Sequence, residues 1–442
     1  MTTGASASLP LSEDQEELRA TVERFAKKEI APVIGGFYER EEFPYEIVAK
    51  MGQMGLFGLP FPERYGGMGG DYVDFCLVVE ELARVDSSVA ITLEAAVGLG
   101  AMPIYHFGTE EQRQRWLPSL CRGEQLGAFA LTEPGGGSDA GAVRTRARRE
   151  GDEWVVDGTK VFITNAGTDI TGFVTVAAVT RPAMAGAAQA GAAAQTGAAA
   201  QTGAAAPAGG AAPAGGAGSR PTPTTGPVLT QARPEISAIV VPAGTPGLSV
   251  SKKYSKVGWS ASDTRELSFS GCRVPLENLL GVEGRGYAQF LQILDEGRVA
   301  VAALSVGLAQ GCIDECLSYM AEREAFGRRL SEYEALQFKL ADMEARAHAA
   351  RLAWYDAARR VVDGKPFKKE AAMAKLLASD AAMVNAREAT QIFGGYGFMN
   401  ETPVGRFYRD AKILEIGEGT SEVLRLVIAR ELGLPAGPGT RA

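Results

Sequence analysis

A multidomain α+β fold, with an N-terminal helical domain, a middle antiparallel β-domain and a C-terminal helical bundle, is predicted from three observations. The chain has 442 residues, about three units at roughly 150 residues per domain. Apolar residues recur at helical spacing over the first third and again after Gly286. Between them lie short β-prone runs punctuated by Gly, Asp and Pro, the pattern of an antiparallel sheet. The boundaries so drawn are 1–126, 127–284 and 285–442.

The elements follow in chain order. Leu11 precedes the capping box Ser12-x-x-Gln15, after which Leu18, Val22, Phe25 and Ile30 keep helical spacing. Pro60-Phe61-Pro62 and the glycines at 66, 67, 69 and 70 interrupt the pattern, which resumes over Phe75–Ala83 and Glu110–Leu120. Strands are expected at Ala128–Leu131, Trp154–Val156, Val161–Thr164, Phe173–Val179, Ile236–Val241 and Glu266–Phe269. Within this domain residues 183–233 are Ala/Gly-rich, with Ala-Ala-Ala-Gln-Thr-Gly repeated at 192–197 and 198–203. Such small side chains bury too little surface to offset the entropy of ordering, so a disordered surface loop is expected, not a solenoid. Further on, Leu330 and Ser331-x-x-Glu334 read as a second capping box for a helix that ends at Asp363-Gly364. Helices over about 368–393, closed by Gly394-Gly395, and 421–432, closed by Gly433, complete the chain.

Composition removes several function classes. With 45 basic and 53 acidic residues the net charge is −8, which gives no global attraction to nucleic acid or acidic lipid. The hydrophobic fraction of 46% and charged fraction of 22% are those of a soluble globular protein. Five cysteines, an odd number without a CxxC pair, argue against a disulfide framework or zinc knuckle and fit a reducing cytoplasm. Cys312 and Cys316 share a helix face and read as buried thiols. Only two histidines are present, His106 and His348, without a Ser/Asp or Cys pattern, so neither a hydrolytic triad nor a metal site is expected. Chemistry must rest on carboxylates or a cofactor. No signal peptide and no membrane insertion are expected.

Leu131-Thr132-Glu133-Pro134-Gly135-Gly136-Gly137-Ser138-Asp139-Ala140 is a strand running into a hydroxyl- and glycine-rich turn. Its Gly135-x-Gly137-x-x-Ala140 spacing imitates a dinucleotide fingerprint. That fingerprint must open a helix, whereas here the chain continues through Arg144–Arg148 to a Gly151-Asp152 turn and another strand. A purely structural hairpin is the alternative.

The segment Leu-Thr-Glu-Pro-Gly-x-Gly-Ser-Asp resembles the flavin-contacting strand and loop of the acyl-CoA dehydrogenase family. Four more blocks agree in family order: Phe162-Ile163-Thr164-Asn165, Arg323-Glu324-Ala325-Phe326-Gly327, Gln391-Ile392-Phe393-Gly394-Gly395 and Glu418-Gly419-Thr420-Ser421-Glu422. The resemblance covers nearly the whole chain outside 183–233. It implies a C-terminal four-helix bundle, a homotetramer, FAD as cofactor, an acyl-CoA substrate, an electron-transferring flavoprotein as partner, and a place in fatty-acid β-oxidation.

By the same resemblance Phe129, Leu131, Thr132, Gly137, Ser138, Phe162, Ile163 and Thr164 would contact the flavin. Ser138 would also meet the CoA tail, and Phe162 could equally be plain core. Arg323, Phe326, Gln391, Gly394 and Gly395 would hold the cofactor of a neighbouring subunit, with Thr420 and Glu422 as further flavin contacts. Asp295, Arg298 and Gly419 match substrate contacts; a helix-surface ion pair is the alternative for the first two. Glu418 matches the general base that removes the α-proton of the thioester, its N–H assisting at the thioester oxygen. A helix start at Ser421 favours its anion by roughly 0.3–1 kcal/mol. Burial under an acyl chain opposes this by up to about 3–5 pKa units, so its pKa is expected to rise on substrate binding.

Three departures from the family pattern stand out. Gly297 occupies the position where some members carry the base, which leaves Glu418 as the matching candidate. Gly417 replaces an aromatic residue often found before the base. Glu334 replaces a flavin-contacting Gln and is expected to close the Ser331 capping box instead.

Overall fold

The computed structural model describes residues 9–182 and 234–435; the tract expected to be a disordered loop, 183–233, lies outside the described residues. Seven helices form the first unit: α1 (Glu13–Phe25), α2 (Ile34–Glu39), α3 (Tyr45–Gln53), α4 (Tyr72–Ala83), α5 (Ser87–Glu94), α6 (Met102–Phe107) and α7 (Glu110–Cys121). The first capping box forms as expected, Gln15 N–H donating to Ser12 Oγ and Ser12 N–H to Gln15 Oε1, both at 3.2 Å. Helices α4 and α5 are buried on almost every side, which explains their near-continuous apolar sequence.

The second unit is a sheet of β1 (Leu126–Ala130), β2 (Arg146–Glu150), β3 (Glu153–Thr164), β4 (Thr171–Arg181), β5 (Glu235–Pro242), β6 (Leu248–Val250), β7 (Thr264–Pro275) and β8 (Leu279–Leu280). Its order is β6-β7-β3-β2-β4-β5-β8, with β1 also on β4. Pairing is antiparallel except that β1 and the start of β2 run parallel to β4. The two runs expected at Trp154–Val156 and Val161–Thr164 are one strand, β3. Its register against β7 slips between Val156 and Gly158 and between Lys160 and Ile163, and each bulge inverts the in-out alternation. At Gly158, φ is +153° and a Cβ would lie 2.7 Å from Thr145 Cα, so only glycine passes there.

The third unit contains α8 (Gly286–Glu322), the short hairpin β9 (Glu324–Ala325) and β10 (Arg328–Arg329), then α9 (Glu334–Val362), α10 (Lys368–Phe393), α11 (Pro403–Leu414) and α12 (Ser421–Glu431). The expected Ser331–Glu334 capping box is not formed. The chain leaves β10 directly into a 3₁₀ turn over Leu330–Glu332, so Ser331 is inside a turn and lacks the extended backbone an N-cap needs. The box closes earlier, Arg329 N–H donating to Glu332 Oε1 at 3.2 Å, and α9 starts after Tyr333 without a side-chain cap.

A continuous apolar core joins the first unit to α8–α11, and a second, around Trp154, fills the sheet. Two helical stretches, Ser87–Phe107 and Gly286–Glu322, are apolar and long enough to cross a bilayer, yet 94% and 89% of their most apolar windows are buried inside the fold. They are core helices here. All five cysteines are free and buried.

Candidate active site

The turn between α11 and α12 carries the expected base. Glu418 has φ +53°, a left-handed conformation that a non-glycine residue holds only when its surroundings enforce it. Gly417 N–H donates to Ile413 O at 2.7 Å and Ser421 N–H to Glu415 O at 3.0 Å, and these two bonds frame the turn. Thr420 then caps α12, accepting from Val423 N–H at 3.3 Å. Between the two framing bonds the N–H groups of Glu418, Gly419 and Thr420 have no acceptor among the described residues. The Glu418 residue is half-buried, but its Oε2 is sealed from solvent and without a hydrogen-bond partner. A Cβ on Gly297 would sit 2.4 Å from that oxygen. The glycine on α8 is therefore the space the carboxyl occupies.

Three other ionisable side chains surround this turn. Arg298, buried and ion-paired with Asp295, donates from Nε to Glu418 O at 3.4 Å. Lys375, on α10 and fully buried, donates from Nζ to Gly419 O at 2.8 Å. At the end of α5, Glu94 is wholly enclosed, it lies close enough to Glu418 for the two carboxyls to influence each other's charge, and neither of its oxygens has a hydrogen-bond partner among the described residues. The chain runs on from α5 in a π-helical stretch, Ala95–Ala101. There a Cβ on Gly98 would come 2.8 Å from Glu94 Oε1.

Burial drives the titration of this group of charges. Desolvation raises the Glu418 carboxyl to about 7, against the opposing effects of Glu94, Lys375 and Arg298. Desolvation and then the Glu418 charge push Glu94 well above the ordinary range, the behaviour of two carboxyls that share one buried site. The Glu418 carboxyl is thus already elevated before any acyl chain covers it.

A second set of residues lies along β1, β3 and the loop between β1 and β2. Fully buried Lys160 donates to Leu131 O at 3.0 Å and to Glu133 Oε1 at 2.8 Å. Glu133 in turn accepts from the N–H groups of Arg144 at 2.7 Å and Thr145 at 2.9 Å. Burial raises the Glu133 pKa, but Lys160 and Thr145 outweigh it and hold the carboxyl below its ordinary value. This clamp closes the glycine-rich turn at both ends. Thr132 and Thr164 are half-buried and Ser138 is exposed, and their hydroxyls have no protein partner among the described residues. Phe162 stands on the β3 bulge at φ +62° and is 67% exposed, while Ile163 beside it is buried. Phe162 is not core. Phe129 packs on Phe290, ring centroids 4.3 Å apart. An exposed aromatic next to free hydroxyls and a bare glycine loop fits a flat, polar-edged ring with a phosphate tail, so the residues present suit FAD.

Asp295 and Arg298 face each other and the Glu418 turn, and Asp295 also lines an open groove of about 750 Å³ with Phe367 and Lys368. Gly419, at φ +106°, follows Glu418 on its turn, and the exposed Glu422 lies in the first turn of α12. Arg323, Phe326, Gln391, Gly394 and Gly395 are exposed at the other end of the bundle. From Gly297 to Arg323 is 26 residues, about 39 Å along α8 at roughly 1.5 Å each. The chain does not bring this set together with Glu418.

Glu94, Lys375, Glu133 and Lys160 were not among the expected site residues. Two had a signal: Glu94 is a lone carboxylate inside the apolar run Val89–Val97, and Lys375 a lone cation on the alanine face of α10. Polar residues at buried positions need a partner, and neither has one nearby in sequence.

Models of three domains match the chain: acyl-CoA dehydrogenase N-terminal domain over residues 12–124, middle domain over 128–197 and C-terminal domain over 284–433. A probable acyl-CoA dehydrogenase, YngJ, of Bacillus subtilis is 43% identical over 422 residues, covering 96% of this chain and 98% of the relative. The butyryl-CoA dehydrogenase structure from Megasphaera elsdenii superposes with a TM-score of 0.83 at 36% identity, over 96% of this chain and 99% of that one. A chain from work on the electron transferring flavoprotein of Acidaminococcus fermentans and flavin-based electron bifurcation gives 0.83 at 39% identity, over 96% and 99%.

Proposed function

We propose, from the premise that the chain belongs to the acyl-CoA dehydrogenase family, that it oxidises an acyl-CoA thioester to the trans-2-enoyl-CoA with Glu418 as general base. The enzyme is an oxidoreductase acting on acyl-CoA. One observation carries the assignment of the base: a carboxyl on a strained turn, one oxygen sealed against Gly297 and its pKa raised to about 7, beside three N–H groups without acceptors among the described residues.

The residues divide the work. A carboxyl with a pKa near the working pH is a competent proton acceptor there and a competent donor in reverse. The Glu418 carboxylate takes the α-proton of the thioester. Negative charge then develops on the thioester oxygen, and the free Glu418 N–H is the donor available to stabilise it. Thr132, Ser138, Phe162, Ile163 and Thr164 would hold FAD, which when bound would supply the acceptor for the β-hydrogen as hydride. The Lys160–Glu133 clamp pins the two ends of the glycine-rich turn that would take the diphosphate. The left-handed turn fixes the direction in which the Glu418 side chain leaves the backbone.

Further features of the reading are a homotetramer, an electron-transferring flavoprotein as acceptor, and a cytoplasmic site of action. The exposure of Phe326 at 98% and Phe398 at 89% supports assembly, because apolar rings this bare at one end of a bundle favour burial against another copy. The likeness to butyryl-CoA dehydrogenase supports a short acyl chain.

The test is anaerobic bleaching of the purified yellow protein by a panel of acyl-CoA thioesters, followed by admission of air. Bleaching strongest with short chains and slow reoxidation are expected. No bleaching by any thioester refutes the reaction; rapid reoxidation by oxygen refutes the dehydrogenase in favour of an oxidase.

A further inference from the structure

Two lysines are fully buried, Lys160 and Lys375. Lys160 has a carboxylate, Glu133, at 2.8 Å. Lys375 has none within ion-pair distance among the described residues, and its one hydrogen bond goes to a backbone carbonyl, Gly419 O at 2.8 Å. An ammonium taken out of water without a paired anion is costly, and nothing in the packing of α10 requires one, since its neighbours on that face are Ala371, Ala374, Ala378 and Ala382.

The carbonyl it holds belongs to the residue after the base. Arg298, from α8, reaches the preceding carbonyl, Glu418 O, at 3.4 Å. Two cations from two helices therefore hold two consecutive carbonyls of the turn. A peptide pair fixed in this way has little freedom to leave φ +53° at Glu418 and +106° at Gly419. The bond from Lys375 is the shorter of the two, and the Arg298 guanidinium is shared with Asp295.

We propose that Lys375 is a positioning residue of this reaction, its buried ammonium holding the Gly419 carbonyl so that the Glu418 carboxyl and N–H stay aimed at the substrate. The assignment rests on the dehydrogenase reading above. The charged groups around the ammonium are Glu418, Glu415 and Glu422 on the α11–α12 segment and Arg298 on α8. Burial lowers the Lys375 pKa to about 8, Glu418 acting against this, and the cation in turn favours the Glu418 anion.

Holoenzyme variants Lys375→Met and Lys375→Gln test it, with anaerobic flavin reduction by butyryl-CoA followed from pH 6 to 9. K375M is expected to keep flavin content and half-saturating butyryl-CoA within about threefold, while its reduction rate constant falls about 100-fold, as for a displaced reacting group. Its rate-controlling pKa should move upward, because the cation favouring the anion is gone. K375Q keeps a donor without the charge, so it should lose less rate and show the same upward shift. A K375M enzyme with the wild-type rate and an unmoved pKa overturns the assignment. So does a loss of rate and flavin together with an unmoved pKa, which is a folding role only. Should K375M fail to fold, the pKa of K375Q decides alone. Wild-type enzyme that no acyl-CoA bleaches overturns the dehydrogenase reading and this assignment together, whereas bleached wild type beside an unaffected K375M overturns only the assignment.

Discussion

Replacing Glu418 by Gln should make the protein more stable while disabling it. In the folded chain the Glu418 carboxyl titrates near 7, against an ordinary 4.5. The folded state therefore binds the proton more tightly than the unfolded state between those two values, and stability falls as pH rises through that window. Below pH 4.5 the penalty is absent; above 7 it is complete. At 1.36 kcal/mol per unit, the ionised carboxyl costs the folded enzyme on the order of 3 kcal/mol. Glu418→Gln cannot ionise and escapes this cost. Urea denaturation of wild type and E418Q at matched flavin content, between pH 5 and pH 8, should show a stability advantage for the variant that grows by about 2.5 kcal/mol toward pH 8. Parallel pH dependences within about 0.5 kcal/mol, the scale of an ordinary surface change, would refute the claim that the base is held buried.

Three further outcomes follow from the same geometry. Glu94→Leu removes the group that helps Glu418 ionise, so the pKa controlling flavin reduction should rise above that of wild type, while Glu94→Gln, still a donor, should stay close to it; the pH dependence of the reduction rate reports both. Lys160→Met breaks a buried pair and leaves Glu133 holding the loop alone, a loss of about 3 kcal/mol expected as a lower melting temperature and flavin lost on dilution. Replacing residues 183–233 by a two-residue Asn-Gly turn should leave flavin content and melting unchanged, because Arg181 and Glu235 are already paired across β4 and β5, with Arg181 Nη1 2.7 Å from Glu235 Oε1; a drop in flavin content would contradict it.

The fold was legible where one periodicity held over a whole element. The boundaries of α10 and α12 follow from their glycine stops, and the Ser12 box marks the start of α1. Reading failed where a local feature reset the period. The bulges in β3 place Lys160 inside and Phe162 outside, which simple alternation cannot give. The 3₁₀ turn after β10 displaced the cap at Ser331. Glu418 was singled out in the sequence because its block of neighbours is distinctive. Glu94 and Lys375 escaped because each acts across a tertiary contact, from α5 and α10, on a turn more than 40 residues later in the chain. A lone charge in an apolar or alanine-rich run says that a partner exists without saying which one.

The central claim is that the Glu418 carboxyl removes the α-proton, and anaerobic mixing of flavin-loaded Glu418→Gln with butyryl-CoA tests it most directly. The account predicts a protein that binds flavin and thioester yet bleaches at least about 100-fold more slowly than wild type, the lower range for loss of a general base. Bleaching at a rate within a few-fold of wild type would contradict it.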